Sequence, residues 1–560
     1  MTDRISIAMA QLNPVVGNVT GNAEKVRQVR ARAADSGADL VITSELVIPG
    51  YPPEDLVLRR SFQESAVREV ERLAAETGDG GPALLLGSIW PDNGNLFNAA
   101  ILLDGGEIKS IRYKHDLPNY GVFDEKRVFK RGSLPGPISF RGVRLGVMVC
   151  EDMWRPDVTE CLHESGAEIL VVLNGSPYSI EKWDQRLNYA TSRVGESSLP
   201  LIYVNQVGGQ DELVFDGGSF VLASDRILKA RCCDWMEDLC ITDWKSGDDG
   251  WQCVNGPVAP QKDRLGSVYS AMMLGLRDYV EKNRFPGVLI GLSGGIDSAI
   301  TAAVATDALG PERVNCVMMP SPYTSVESLE DAAGCARLLG VRLEEVSINP
   351  AMEAFEEMTR PLFGSVPPDT TEENIQARSR GLTLMALSNK TGAMVVSTGN
   401  KSEMSVGYAT LYGDMCGGYS VLKDVYKTMV FDLCRWRNRE FPEGALGPKG
   451  AVMPDRIITK PPSAELKHDQ TDQDTLPPYE ILDEILTCLV ERDMGVRATT
   501  EAGFDSELVQ RIWRMLLVAE YKRRQAPPGV KISERSFGRD RRYPITDGFS
   551  EKLEDGTTTS

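Results

Sequence analysis

The chain has 560 residues, which is too long for one hydrophobic core, and its 42% hydrophobic and 25% charged residues are typical of a globular protein. Its 61 Lys and Arg residues against 80 Asp and Glu residues give a net charge of -19, which argues against nonspecific binding of nucleic acid. The apolar runs are far shorter than the roughly 20 residues that span a bilayer, and the amino terminus has no signal-peptide core, so we expect a cytoplasmic protein.

The cysteine and histidine contents limit the kinds of site that the chain can build. The 11 cysteines include no C-x-x-C pair, so we expect reduced thiols rather than a zinc site. Only 3 histidines are present, which leaves little for a Ser-His-Asp hydrolase or a His-rich metal centre. A nucleophile in this chain is therefore expected to use another base.

The first 240 residues alternate short apolar runs with amphipathic or turn-rich stretches. Runs with both faces apolar are typical of strands covered on each side, although periodicity alone does not exclude short buried helices. The predicted strands lie at 5–8, 40–42, 83–86, 145–149, 169–173 and 201–204. This pattern favours a layered α/β domain.

Three residues at or near the ends of these runs have the chemistry of nucleophilic catalysis. They are Glu45 in ITSELVIPGYP, Lys114 in YKHDLPNYGVFDE and Cys150 in GVMVCEDMW. Together they resemble the catalytic triad of the nitrilase superfamily. The resemblance implies an amidase in which Glu45 takes the thiol proton of Cys150 and Lys114 stabilises the anions that form.

The same resemblance assigns further residues around the triad. Glu125 matches a second carboxylate that is expected to orient Lys114 and the substrate. The residues expected to bind glutamine are Tyr120, Ser176 and Ser219. Asp152 and Trp154 are expected to pack or to support the site.

A compositional break separates two predicted domains. Residues 246–262 are rich in Gly, Asp, Pro and Lys and have no period, which predicts a linker. We therefore predict one domain at 1–245 and a second at 263–550, followed by a disordered tail at 551–560.

The second domain begins with a helix, a strand, a glycine loop and another helix. The pattern predicts helices at 265–283 and about 298–308, on either side of a strand at 288–292. Further apolar runs predict strands at 313–319 and 393–397. A mostly parallel, doubly wound sheet is the natural architecture for this order.

The glycine loop has the composition of a phosphate-binding loop. In SGGIDS, residues 293–298, the glycines let the backbone approach a phosphate, and the start of a helix favours an anion. The loop lacks the GxxxxGK[ST] pattern, and it resembles the PP-loop of enzymes that cleave ATP to AMP and pyrophosphate. The residues that this resemblance places at ATP are Ser293, Gly294, Gly295, Asp297, Ser298 and Thr398.

Five further segments carry a more specific resemblance. They are TEENIQAR at 371–378, TGNKSE at 398–403, YGD at 412–414, DVYK at 424–427 and KPPSAE at 460–465. These segments are similar to those of the NAD synthetase family. With the amidase, the whole chain resembles a glutamine-dependent NAD synthetase, in which ammonia from glutamine amidates adenylated deamido-NAD. The resemblance implies a nitrilase-like α-β-β-α sandwich followed by a PP-loop domain of the adenine nucleotide α-hydrolase type.

The resemblance also supplies roles in the second domain. Asp297 and Glu403 match metal-binding carboxylates, and Mg²⁺ prefers such hard oxygen ligands. The residues expected at deamido-NAD are Asn374, Arg378, Asp414 and Lys427, with Lys427 also at the phosphates. The basic stretch 521–542 resembles the closing segment of the family and needs no nucleic acid to explain it. Members usually form homo-oligomers, which we expect here.

Three alternatives remain open at this level. The first is another glutamine-dependent ligase that acts on a different carboxylate or nucleotide, and the motifs containing Glu373-Asn374-Ile375 and Glu403 argue against it. A tRNA-modifying PP-loop enzyme is disfavoured by the acidic composition and the lack of C-x-x-C. A binding protein with two dead sites is disfavoured because each expected motif residue is present.

Overall fold

The computed structural model describes residues 3–364, 366–467 and 470–549, and it divides the chain into two units, Met1–Asp263 and Arg264–Ser560. The tail predicted at 551–560 lies outside the described residues. No helix in the described part of the chain has both the length and the apolar character to cross a membrane.

Unit 1 consists mainly of strands, with four α-helices among its described residues. Its strands are β1 (Arg4–Gln11), β2 (Leu40–Ile42), β3 (Ala83–Asp92), β4 (Asn95–Asp104), β5 (Glu107–Tyr113), β6 (Ile138–Phe140), β7 (Val143–Val149), β8 (Ile169–Leu173), β9 (Leu201–Val204), β10 (Val207–Gln210), β11 (Leu213–Asp216), β12 (Phe220–Leu222), β13 (Leu228–Arg231), β14 (Asp238–Gly247) and β15 (Gly250–Asn255). Its helices are α1 (Val19–Asp35), α2 (Arg60–Glu76), α3 (Pro156–Glu164) and α4 (Lys182–Ser197).

Two large sheets form the centre of unit 1. One has the strand order β15-β14-β1-β2-β3-β4-β5 and the other has the order β13-β12-β9-β8-β7-β6. The apolar runs predicted as strands lie in β1, β2, β3, β7, β8 and β9, and these predictions are confirmed.

The buried side chains of unit 1 form three layers of core, which explains why both faces of its central strands are apolar. One core joins α1 and α2 to the first sheet, and another joins α3 and α4 to the second. The third lies between the sheets, where Met9 and Ile42 from the first sheet join Val147 and Val171 from the second. The predicted α-β-β-α sandwich is confirmed.

The segment expected to be a linker, residues 246–262, contains a β-strand. Strand β15 lies within it and pairs with β14 at the edge of the first sheet. Trp251 and Cys253 are each 5% exposed, whereas Gln252 and Val254 point outward. This alternation of buried and exposed side chains is a strand pattern. Unit 1 accordingly continues to Asp263.

Unit 2 combines a parallel sheet with many helices. Its strands are β16 (Val288–Gly291), β17 (Val314–Met318), β18 (Arg342–Glu345), β19 (Met394–Ser397) and β20 (Tyr419–Ser420). Its helices are α5 (Arg264–Lys282), α6 (Ile296–Leu309), α7 (Val326–Leu339), α8 (Asn349–Phe363), α9 (Thr370–Thr391), α10 (Lys401–Val406), α11 (Lys427–Arg439), α12 (Asp455–Thr459), α13 (Tyr479–Leu486), α14 (Val496–Glu501), α15 (Ser506–Val518) and α16 (Glu520–Arg523).

The sheet of unit 2 places the glycine loop at a topological switch point. Its strand order is β18-β17-β16-β19-β20, and all of its pairs are parallel, as predicted. The chain runs from β16 towards one edge and returns at β19 to build the other. The loops after β16 and β19 therefore face one crevice, which is where ligands bind in open α/β sheets.

Candidate active sites

The structure brings together the triad that the sequence predicts in unit 1. Glu45 follows β2, Lys114 follows β5 and Cys150 follows β7. Lys114 Nζ lies 2.7 Å from Glu45 Oε1, and both side chains are fully buried. Cys150 is also buried, at 3% exposed, and the charges of Glu45 and Lys114 both shift the pKa of its thiol.

The backbone at Cys150 makes a sharp turn that a residue with a side chain rarely adopts. Its φ is +49°, in the left-handed region, and such strain is common where a reactive group must be exposed to a site. Asp152 fastens this turn, because its carboxylate accepts the backbone N–H of Val149 at 2.9 Å. The same carboxylate accepts the N–H groups of His115 at 3.0 Å and Asp116 at 2.8 Å. Asp152 thus joins the turn at Cys150 to the segment after Lys114.

The Glu45 carboxylate is held by donors on both oxygens. Asn98 Nδ2 donates to Oε1 at 2.7 Å, beside the ammonium of Lys114. The Gly175 backbone N–H donates to Oε2 at 2.9 Å. These donors fix the orientation of the carboxylate beside Lys114.

Burial and neighbouring charges shift the pKa values of the Cys150 thiol and the Lys114 ammonium. Burial raises the pKa of the Cys150 thiol well above its ordinary value, and Glu45 adds to this, while Lys114 opposes it. Burial works against the charge of Lys114, but the neighbouring carboxylates outweigh it and raise its pKa. These shifts favour a neutral thiol at Cys150 beside a positively charged Lys114.

Glu125 contacts the lysine as the sequence predicts. Its Oε1 lies 2.9 Å from Lys114 Nζ and accepts the hydroxyl of Tyr51 at 3.0 Å. Burial raises the pKa of Glu125 to about 7, although Lys114 opposes this. Its Oε2 is buried and has no partner among the described residues.

Tyr120 lines a cavity of about 470 Å³ together with Glu151, the residue after Cys150. The Tyr120 hydroxyl donates to Glu151 Oε2 at 3.0 Å, and its ring remains 54% exposed. Tyr120 is therefore accessible to a ligand that enters this cavity.

Ser176 and Ser219 are held by protein partners instead. Arg186, fully buried and paired with Asp216 at 2.8 Å, donates from Nε to the Ser176 hydroxyl at 3.1 Å. The Ser219 hydroxyl donates to Gln11 Oε1 at 3.0 Å and is 0% exposed. Both hydroxyls therefore have partners within the protein, and their contact with glutamine stays a prediction.

Gly87 on β3 is packed against the backbone that carries Glu45. A Cβ at this position would lie 2.3 Å from Leu46 N and 2.6 Å from Ser44 O. We expect Gly87→Ala to displace Glu45 and to lower the free energy of unfolding by about 1–3 kcal/mol, because backbone atoms cannot rotate away. Denaturant unfolding measures this change. Gly136→Ala is the matched control, since a Cβ there meets no atom within 4 Å; equal stability of the two variants would contradict the packing argument.

The second site is a cavity of about 310 Å³ in unit 2. The glycine loop forms one wall, with Gly294 at φ +81° and its Cα so close to α7 that a Cβ would lie 2.2 Å from Ser328 O. The Ser298 hydroxyl donates to Gly295 O at 2.9 Å and accepts the Ser293 N–H at 3.2 Å, which fixes the loop. Of the expected ATP residues, those on the cavity wall are Ser293, Gly295, Asp297 and Thr398.

Two carboxylates and one lysine converge on this cavity. Lys427 Nζ lies 2.5 Å from Asp297 Oδ2 and 3.0 Å from Glu403 Oε1. Burial raises the pKa of Glu403 to about 7, although Lys427 opposes this. Asn400 Nδ2 donates to the other oxygen of Asp297 at 2.9 Å. The three charged side chains, which the sequence predicted from separate motifs, therefore lie together on the wall of this cavity.

The donor set fits a cation that is completed by phosphate oxygens. No group of three or more His, Cys, Asp or Glu side chains suited to a metal occurs within residues 3–364, 366–467 and 470–549. Asp297 and Glu403 nevertheless lie close enough to share one cation, and Mg²⁺ commonly binds through one or two carboxylates with substrate phosphates and water.

The residues expected at deamido-NAD are less closely grouped. Asp414 lines the cavity, and its Oδ1 accepts the N–H of Thr410, another residue of the wall, at 2.7 Å. Asn374 and Arg378 are not among the described residues on the cavity wall, although Asn374 Oδ1 accepts the Thr410 hydroxyl at 3.0 Å. Arg378 is exposed and donates to Leu411 O at 3.2 Å.

The basic stretch near the carboxyl end is used largely inside unit 2. Arg523 and Arg541 both contact Glu520, and Lys531 lies 2.8 Å from Asp540. Arg523, Lys531 and Arg541 are each less than a tenth exposed. These internal ion pairs account for much of the local charge.

Sequence reasoning missed several residues that the structure places at the sites. Tyr51 contacts Glu125 and Asn98 contacts Glu45, but no spacing or composition signal singles them out. Arg380 lines the second cavity, two residues beyond the motif at 371–378.

Comparison with known proteins covers both units. Residues 6–248 match the family model of carbon-nitrogen hydrolases and residues 268–526 match that of NAD synthases. The chain is 47% identical over 552 residues to the glutamine-dependent NAD(+) synthetase of Rhodobacter capsulatus, with 99% of this chain and 100% of that protein covered. It is 42% identical over 546 residues to the synthetase of Acinetobacter baylyi, with 97% and 98% covered.

Solved structures agree with these relatives. The glutamine-dependent NAD+ synthetase from Acinetobacter baumannii in complex with ADP is 40% identical, with a TM-score of 0.78 over 98% of this chain and 100% of that one. The glutamine-dependent NAD(+) synthetase from Cytophaga hutchinsonii is 20% identical and shares the fold, with a TM-score of 0.81 over 97% and 98% of the two chains.

Proposed function

The chain belongs to the glutamine-dependent NAD(+) synthetases, and from this premise we propose that its two sites perform the two halves of one reaction. Unit 1 hydrolyses glutamine to glutamate and ammonia. Unit 2 uses the ammonia and ATP to convert deamido-NAD to NAD, with release of AMP and pyrophosphate. The observation that supports this assignment is the presence of both sites in one chain. In unit 1, buried Lys114 contacts Glu45 near the turn at Cys150. In unit 2, Lys427 contacts Asp297 and Glu403 beside the glycine loop.

Glutamine hydrolysis uses the triad in a fixed order. The Cys150 thiol attacks the side-chain amide carbon of glutamine while Glu45 takes its proton. Lys114 and the backbone N–H of Glu151 stabilise the oxyanion, and the proton then passes to the departing ammonia. Water cleaves the thioester to release glutamate, with Glu45 as the base. Glu125 holds Lys114 through the contact described above.

Synthesis in unit 2 begins with activation of the deamido-NAD carboxylate. The carboxylate attacks the α-phosphorus of ATP, and the loop at 293–298 and the start of α6 hold the leaving pyrophosphate. Ammonia attacks the carbonyl carbon of the adenylate, and AMP leaves. Asp414, Asn374 and Arg378 are the residues that we assign to deamido-NAD.

We also propose that Asp297 and Glu403 bind Mg²⁺ together with the ATP phosphates. The ion would neutralise phosphate charge and orient the pyrophosphate for departure. Lys427, which lies between these carboxylates, is placed to contact the phosphates when the nucleotide is bound.

Choice of acceptor tests this function against other glutamine-dependent ligases. The protein should be incubated with ATP, Mg²⁺, ammonium and each of several acceptors: deamido-NAD, a purine nucleotide, aspartate or tRNA. We expect AMP and pyrophosphate only with deamido-NAD. Formation of AMP with another acceptor, and none with deamido-NAD, would refute the assignment.

The chain offers an apolar surface for assembly with a second copy. Helix α8 has no buried residue in the structure, and several of its apolar side chains face solvent. Exposed members of this surface are Phe355, Met358, Leu362, Phe363, Val366, Leu382 and Met385. Large exposed apolar side chains are typical of protein interfaces. We propose that α8 and α9 form the contact of a homodimer.

Negative charges introduced on this surface by substitution should dissociate the dimer into monomers. We expect the double variant Met358→Asp, Leu362→Asp to weaken dimerisation by at least about 100-fold, because each buried carboxylate would lack a partner. Analytical ultracentrifugation measures the change. Val518→Asp is the control, since Val518 is 66% exposed on α15, outside this surface. A double variant that stays as dimeric as the control would show that this surface is not the interface.

We propose that the reaction takes place in the cytoplasm. A catalytic thiol must stay reduced, and no disulfide joins any of the 11 cysteines, all of which lie in the described residues. Reduced cysteines are typical of that compartment.

A further inference from the structure

Helix α9 carries two arginines that point in nearly opposite directions. Positions two residues apart on a helix differ by about 200° around its axis. Ala377, Arg380 and Leu384, at helical spacing, line the cavity of unit 2. Arg378, which the motif singled out, is exposed and contacts Leu411 O. The arginine that faces the cavity is therefore Arg380.

Arg380 is anchored so that the end of its side chain stays available. Its Nε donates to Met319 O at 3.1 Å, just after β17. Within the described part of the chain, neither terminal guanidinium nitrogen has a hydrogen-bond partner. A fixed Nε with two unused terminal nitrogens leaves donors ready for a ligand.

The other cations on the cavity wall already have carboxylate partners. Lys427 is paired with Asp297, and Lys460 Nζ lies 3.1 Å from Asp331 Oδ2. Among the described residues, Arg380 is the cation of this wall without an ion pair. The positive charge of Arg380 therefore has no carboxylate in an ion pair with it among the described residues.

The acidic residue whose charge acts on Arg380 is engaged elsewhere. Glu465 Oε1 accepts the hydroxyls of Ser325 at 2.8 Å and Ser328 at 2.7 Å, at the start of α7. Burial lowers the pKa of Arg380 to about 10, and Glu465 opposes this only in part. A desolvated cation without a partner is costly, and an anionic ligand would remove that cost.

We propose that Arg380 binds a phosphate group of ATP through its terminal guanidinium nitrogens. The proposal rests on the assignment of ATP to this cavity and adds a contact outside the loop at 293–298. Planar guanidinium groups bind phosphate oxygens in a bidentate manner, for which a lysine is a poor substitute.

Nucleotide kinetics test this contact. With ammonium as the nitrogen source, Arg380→Gln should raise KM for ATP by about 10- to 100-fold, which is the usual loss for a charged hydrogen bond. KM for deamido-NAD should change little. For Arg380→Lys, KM for ATP should lie between those of the unchanged protein and of Arg380→Gln, because lysine keeps the positive charge but lacks the planar guanidinium group. Arg337→Gln, an exposed arginine on α7, is the control. An unchanged KM for ATP in folded Arg380→Gln would overturn the proposal.

Inhibition by fragments of ATP separates phosphate binding from contact with the base. Arg380→Gln should weaken inhibition by pyrophosphate and leave inhibition by adenosine unchanged. The reverse pattern would place Arg380 at the adenine and overturn the phosphate assignment. NAD formation by the variant at saturating ATP should persist, so failure of this inference is distinct from failure of the proposed function.

Discussion

Replacing Cys150 with alanine should abolish NAD formation from glutamine and leave NAD formation from ammonium in place. The variant loses the thiol that forms the thioester, and loss of a nucleophile costs on the order of a thousandfold or more. The side chain lies in unit 1, whereas the ATP residues lie in unit 2. Ammonium should support synthesis through its unprotonated fraction, so that this rate rises with pH.

Rates with each nitrogen source at matched pH measure this separation. Cys161→Ala is the control, because Cys161 belongs to the same unit and its thiol forms a hydrogen bond to Pro135 O, away from the residues of either site. Glutamine-dependent synthesis by Cys150→Ala would show that Cys150 is not the nucleophile. Loss of both activities in folded protein would show that the two sites do not act separately.

Replacing Asp297 with alanine should abolish NAD formation with either nitrogen source. Its carboxylate contacts Lys427 and Asn400, and we assign it to the metal and the ATP phosphates. Its removal should therefore block the activation by ATP, a step that comes before any attack by ammonia. We expect the rate to fall by about 100-fold or more, as when a single group that stabilises transition-state charge is removed. Glu403→Ala should behave alike, since Glu403 contacts the same lysine.

Formation of AMP with saturating ammonium measures this loss without involving unit 1. Asp432→Ala is the matched control, because Asp432 forms a surface pair with Arg435 at 3.2 Å, and such pairs contribute little. Near-normal synthesis by Asp297→Ala would remove this residue from the site.

The sequence predicted the central strands of both units because their apolar character on both faces reflects burial on both faces. Edge strands are harder to predict, as β15 illustrates. Only Trp251 and Cys253 face the core there, and the surrounding Gly, Asp and Pro residues are typical of a boundary. The alternation of apolar and polar residues was present in the sequence, but the Gly, Asp and Pro residues around it favoured the prediction of a linker.

The triad could be recognised from motifs, whereas sequence spacing alone does not predict that its members meet. Glu45, Lys114 and Cys150 follow strands of two different sheets, and only the packing of those sheets brings them together. The partners that hold the base, Asn98 and the Gly175 N–H, come from still other segments. Such contacts depend on tertiary structure, so local sequence carries no signal for them.

Ser219 and Arg380 show why motif residues and site residues differ. Ser219 belongs to a recognised loop, yet its hydroxyl is taken by Gln11 inside the protein. Arg380 lies outside the recognised segment, yet the turn of α9 directs it to the cavity wall. A motif indicates which segment is near a ligand, whereas the fold decides which side chain reaches it.

The most direct test of the central claim follows the amide nitrogen of glutamine. The protein is incubated with deamido-NAD, ATP, Mg²⁺ and glutamine labelled with ¹⁵N in its side-chain amide, and the products are identified by mass. We predict NAD with ¹⁵N in its carboxamide, together with glutamate, AMP and pyrophosphate. Failure to form NAD, or cleavage of ATP to ADP and phosphate, would contradict the account.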